Sequence, residues 1–101
     1  MYKVIRTNIV DEQFDKILNY IANELFNVQA ALDLVDEFER IIGQLEKFPH
    51  LGTEYESTTE LEVQFFSRLV GNYKMLYWID EVNEKVYISY IFHQRQNFKI
   101  Y

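Results

Sequence analysis

The sequence predicts an α+β domain: an N-terminal strand, an antiparallel helical hairpin, then a three-stranded antiparallel meander, with all strands in one sheet. Three observations predict it. Apolar residues recur at helical spacing over 14–25 and again over 28–48. Three short runs rich in aromatic and branched residues follow between 63 and 93, parted by turn signals. The opening Tyr2 to Arg6 alternates apolar and polar, as a short half-buried strand does.

Each element has its own justification. After the first strand, Asn8 is placed to cap a helix, with Asp11 in its first turn favouring the helix dipole. Phe14, Ile17, Leu18, Ile21, Ala22 and Leu25 then form one apolar stripe. The opposite face carries Asp15, Lys16, Asn19 and Asn23. Asn27 is the cap of a second helix, whose stripe runs from Val28 through Leu32, Phe38, Ile41 and Leu45 to Phe48. Pro49 must stop it, because a proline has no amide hydrogen to continue the ladder. Gly43 inside the helix costs about 1 kcal/mol against alanine; a glycine there permits close packing but does not by itself require it. So short a link between the helices makes an αα-hairpin.

Pro49-His50-Leu51-Gly52 reads as a turn and Thr53 to Glu60 as an acidic loop. Val63 to Val70 is the first meander strand, Gly71-Asn72 a turn, and Tyr73 to Asp80 the second strand. Residues 81–85 form a hairpin loop before Val86 to His93. That last strand is apolar on both faces, so it needs two covers. One is the helical pair. The other is the chain's own tail or a bound partner.

At 101 residues the chain is read as one domain, 1–101, with a core of modest stability. Eight Tyr and eight Phe supply that core and leave aromatics over for an interface. There is no cysteine, hence no disulfide, thiolate nucleophile or Cys-bound metal. No window approaches a membrane span, and the N-terminus lacks a signal-like apolar run, so a cytoplasmic protein is expected. The net charge is −6 and uneven. Residues 1–60 hold twelve Asp/Glu against five Lys/Arg, whereas residues 61–101 hold four against five. Nucleic-acid binders ordinarily carry a basic field, which this chain lacks.

The residues with most chemical promise are His93 and Arg95, two apart at a strand end. Histidine can move a proton near neutral pH, and arginine can hold a phosphate with two hydrogen bonds. The alternative is local: a histidine bonded to its own turn and an arginine paired with one of sixteen acids. Arg68 lies among aromatics in the first meander strand, either packed by its stem or aimed at a phosphate. Tyr73 and Tyr77 share a face of the next strand, as core or as partner surface. Tyr101 is a third partner-binding candidate. His50 reads as an exposed turn residue. No carboxylate has ligand spacing to either histidine, so neither metal nor cofactor is expected.

Taken in order, Phe48-Pro49-His50-Leu51-Gly52, the spacing Arg68-x-x-x-x-Tyr73, and a strand ending in His93-Gln94-Arg95 resemble the RelE/ParE superfamily of bacterial type II toxins. The resemblance covers nearly the whole chain. It implies a growth-inhibiting toxin held in a hetero-oligomer by a cognate antitoxin encoded beside it. The ParE branch poisons DNA gyrase. The RelE branch cleaves mRNA in the ribosomal A site, as a metal-independent endoribonuclease using basic residues and sometimes a terminal His or Tyr. Arg68 and Arg95 match positions where the nuclease branch binds phosphate. The lysines that branch carries ahead of the meander have no counterpart: Glu54, Glu56, Glu60 and Glu62 stand there. The ending His-Gln-Arg-Gln-Asn is closer to the gyrase-poisoning branch. Gyrase is therefore the expected target, with ribosome-dependent mRNA cleavage as the alternative.

Overall fold

The computed structural model describes residues 1–56, 63–98 and 100. Its elements are β1 (Lys3–Arg6), α1 (Asn8–Asn19), a π-helical turn (Tyr20–Glu24), α2 (Val28–Lys47), a 3-10 turn (Pro49–Leu51), β2 (Thr53–Tyr55), β3 (Phe65–Val70), β4 (Tyr73–Asp80) and β5 (Lys85–His93). The five strands form one sheet in the order β1-β5-β4-β3-β2. The meander is antiparallel as expected. β1, however, runs parallel to β5, with Lys3 opposite Lys85 and Arg6 opposite Ile88. The segment expected to be an acidic loop supplies a short edge strand, β2, antiparallel to β3.

The helices cover one face of the sheet. Val10 and Phe14 of α1 and Ala31, Leu34, Phe38, Ile41 and Leu45 of α2 pack on Val70, Met75, Tyr77, Val86, Ile88 and Ile91. Phe14 and Phe38 stack at 4.4 Å between the helices. The second face has its own cluster, Phe65, Leu76, Phe92 and Ile100, with Phe98 stacked on Phe92 at 4.3 Å. The second cover of β5 is therefore the chain's own tail.

Three local readings change. The cap of α1 is Thr7, whose hydroxyl accepts from the Val10 amide at 3.3 Å; Asn8 is already helical. The apolar stripe of the first helix does not reach Leu25. The Leu25 amide donates to the Tyr20 carbonyl, a five-residue step that adds one residue to the turn and rotates Leu25 out. In α2 the buried line passes through Leu34, and Val28, Leu32 and Phe48 lie more than half exposed. Asn27 caps α2 as expected, accepting from the Ala30 amide. Gly43 is not used for close packing, since a side chain there would meet nothing within 4 Å.

The link between helices holds an unusual residue. Phe26 has φ +51 and is 89% exposed. A bulky L-residue in the left-handed region costs roughly 1–2 kcal/mol, and glycine normally takes such a place at a helix C-terminus.

At the far end of the hairpin, the chain turns under the sheet. Tyr77 is fully buried, and its hydroxyl donates to the Pro49 carbonyl at 2.8 Å. Gly52 lies against that hydroxyl so closely that an added Cβ would sit 2.1 Å from it. The Pro-His-Leu-Gly run is thus the seat for one tyrosine. Burial pushes the Tyr77 phenol up. Tyr77, expected at a partner surface, is core.

Candidate functional site: a cationic edge of the sheet

β2 pairs only with Phe65–Ser67, so among the described residues no strand lies beside the edge of β3 from Arg68 to Val70. A cleft of about 560 Å³ wraps around this open edge. Its polar lining includes Arg40, Arg68 and Lys74, the hydroxyls of Thr53 and Ser67, and Gln94. Among the described residues no carboxylate lines it, in a chain of net charge −6.

Each cation is placed by its element. Arg68 faces the helices, because its neighbour across the pair is buried Met75. Its Nη2 donates to Gln44 Oε1 of α2 at 2.6 Å. Its Nη1 is buried with no hydrogen-bond partner among the described residues. An unpaired buried donor costs ~1–3 kcal/mol, and more when charged. Lys74 sits on the other face by strand alternation, with its ammonium 5.9 Å from the centre of the Tyr55 ring. Arg40, on α2, already holds Glu37 through Nε at 3.0 Å and Nη2 at 2.5 Å. Hydrogen bonding to Arg40 lowers the Glu37 carboxyl. Arg68 and Lys74 therefore remain to attract an anion, whether a carboxylate or a phosphate.

His93 belongs elsewhere. It ends β5 opposite Tyr73, ring to edge at 5.4 Å. The Arg95 amide donates to His93 Nδ1 at 3.1 Å, which places the proton of the neutral ring on Nε2. His93 lines a smaller cleft of about 240 Å³ with Gln13, Lys16 and Tyr73. Two strand spacings and two residues of rise separate its Cα from that of Arg68, roughly 12 Å. Arg95 follows in the exposed turn Gln94–Gln96 and lines neither cleft. The three residues singled out in the sequence are thus not gathered into one site. Tyr73 is half-buried between the two regions, and burial raises its phenol. Tyr101 lies outside the described residues.

Lys74 and Arg40 were missed. A lysine between Tyr73 and Met75, inside an otherwise apolar strand, was the signal available for the first. Arg40 had none, because an arginine three residues after a glutamate is the ordinary sign of a helix-surface ion pair. At the opposite corner, Glu81 accepts from the Tyr2 hydroxyl at 2.6 Å and from His50 Nε2 at 2.5 Å. Those bonds lower the Glu81 carboxyl, and the bond to Glu81 raises the Tyr2 phenol. All three side chains are accessible, and they tie the first strand and the post-helix turn to the β4–β5 hairpin.

Arg95 offers a direct test of function against fold. Its only hydrogen bond among the described residues is made by its backbone. Arg95→Ala should change stability by no more than ~0.5 kcal/mol, a melting shift of up to ~4 °C. If the exposed guanidinium contacts a target, as the resemblance implies, growth inhibition on induced expression should weaken. Unchanged inhibition would show that Arg95 makes no functional contact.

The sequence matches a family model described as the ParE toxin of the type II toxin-antitoxin system, parDE, over residues 4–98. The fold is similar to that in the chromosomal ParDE toxin–antitoxin system of Pseudomonas aeruginosa, at TM-score 0.67 and 15% identity, covering 92% of this chain and 96% of the other. It is also similar to a chain of the toxin–antitoxin complex RelBE2 of Mycobacterium tuberculosis, at TM-score 0.63 and 24% identity, covering 92% and 98%. No curated protein matches the sequence.

Proposed function

Because this chain belongs to the ParE toxin family of type II toxin–antitoxin systems, we propose that it arrests growth by binding and inhibiting DNA gyrase, and that a cognate antitoxin neutralises it. The observation that carries this reading is the dispersal of His93, Arg68 and Arg95. A phosphodiester is cleaved by an acid, a base and a phosphate holder that all reach the same phosphate group. Here the imidazole and Arg68 lie in different clefts, and Arg95 lines neither. The net charge of −6 adds to this, since it repels rRNA and mRNA at a distance. An antitoxin partner is supported by the two structural relatives, both from toxin–antitoxin systems. The acidic surface of α1 and α2 suits an antitoxin segment rich in Lys and Arg.

A second reading has one observation in its favour. The cleft with Arg68 and Lys74, which no carboxylate of the described residues lines, could seat a phosphate, as a ribosome-dependent mRNA endonuclease requires. Two assays with the purified chain separate the readings. Gyrase inhibition predicts loss of DNA supercoiling at micromolar toxin, with mRNA on programmed ribosomes left intact. Cleaved mRNA with normal supercoiling would replace the first reading by the second.

A further inference from the structure

We infer that the tip of the helical hairpin, Leu25 to Val28 with Leu32, is a docking knob for a folded protein that presents an apolar socket rimmed by Lys and Arg. This rests on the reading of the chain as a toxin that acts by binding a protein.

Phe26 is disfavoured twice where it stands. Its backbone occupies the left-handed region at φ +51, and its ring is 89% exposed. It packs against neither core cluster. Glycine or asparagine would remove both penalties, so folding has no use for the ring. Strain held at a position without structural benefit points to a use outside the fold. The neighbours agree. The π-helical turn swings Leu25 outward, and Val28 and Leu32 occupy successive turns of one α2 face. All three are more than half exposed.

Charge and shape select the occupant. Glu24 precedes the knob, and Asp33 and Asp36 follow it on α2. None of the three forms an ion pair among the described residues. An apolar anchor flanked by acids without a cationic partner among the described residues is complementary to a basic rim. The knob projects from a hairpin end, so it needs a preformed pocket, which a folded partner has. An antitoxin segment that orders on binding wraps a surface and brings no such pocket.

The test compares the wild-type chain with Phe26→Gly and Phe26→Asn, and with Val82→Ser as an exposed apolar control on the β4–β5 hairpin. Growth arrest on induced expression, inhibition of purified gyrase, affinity for the neighbouring gene's product, melting temperature and oligomeric state are measured. The Phe26 variants should melt at or above the wild-type temperature, because the left-handed residue is relieved. They should need about 30-fold more protein for arrest, the size of an interface hot spot. Antitoxin affinity should stay within about threefold, and the Val82 control should behave as wild type. Full arrest by the Phe26 variants would overturn the inference. A parallel loss of antitoxin affinity would also do so, by making the knob an antitoxin contact. So would a wild-type oligomer that Phe26→Gly dissolves, since the socket would then belong to a second copy. A wild-type chain that leaves growth untouched defeats the inference along with the toxin reading. One that arrests growth without touching gyrase removes only the gyrase assignment.

Discussion

Gly52→Ala is expected to destabilise the protein by roughly 3 kcal/mol, the upper part of the usual range for overpacking. The cause is steric. The new Cβ would lie 2.1 Å from the Tyr77 hydroxyl oxygen, 2.9 Å from its ring carbon and 3.0 Å from the Ser67 carbonyl. Tyr77 cannot swing away, because it is fully buried and bonded to the Pro49 carbonyl. In a domain of this size the melting temperature should fall by roughly 15 °C. Tyr77→Phe alone should cost ~1–3 kcal/mol, since it strands the Pro49 carbonyl. The two changes together should cost less than their sum, because removing the hydroxyl frees the volume the methyl needs. A double-mutant cycle reads this directly. Additive costs would show that the Gly52–Tyr77 approach is not what requires glycine.

Phe38→Ala should cost about 4 kcal/mol, in the range for a buried aromatic cut back to a methyl. Phe38 is 1% exposed and lies where α2, α1 and the sheet meet, stacked on Phe14. Its removal leaves a cavity bounded on several sides, which neighbouring side chains cannot fill by rotamer change alone. Small domains have only ~5–15 kcal/mol in total, so the variant should be close to unfolding at 37 °C. Urea denaturation should show a lower midpoint with an unchanged slope. A loss below 1 kcal/mol would mean that the interhelical stack is not central to the core.

Much of the fold could be read from residue spacing, and the exceptions have physical causes. α1, α2 and the meander announce themselves because each buries a face whose period belongs to one backbone geometry. β2 is three residues, Thr53-Glu54-Tyr55, largely exposed; nothing in its composition distinguishes it from loop, and only β3 makes it a strand. The π-helical turn inserts one residue without altering composition, so the stripe of the first helix seemed to run on to Leu25. The parallel pairing of β1 depends on where the helices deliver the chain, which local pattern does not encode. At the site, alternation holds only while the chain is a strand. His93 ends β5, and the turn that follows takes Arg95 out of the strand's alternation. Lys74 and Arg68 occupy opposite faces by the same alternation and meet only because the cleft passes around an open edge. Such a meeting is a property of the sheet's border and not of any segment.

The parallel pairing of Lys3 with Lys85 has a kinetic consequence. It joins positions about eighty residues apart, so closing that loop is the costliest entropic step in assembling the sheet. The β3–β4–β5 meander, by contrast, is stitched by short turns and can form early. β1 can dock only once β5 has its register, since its amides and carbonyls address the outer edge of that strand. The first residues of the chain are thus among the last to find their place. The acidic helical half and the nearly neutral sheet half are laced together by that ladder, so neither half is a separable folding unit. Long-range pairing of this kind should slow refolding relative to helical bundles, whose contacts are local.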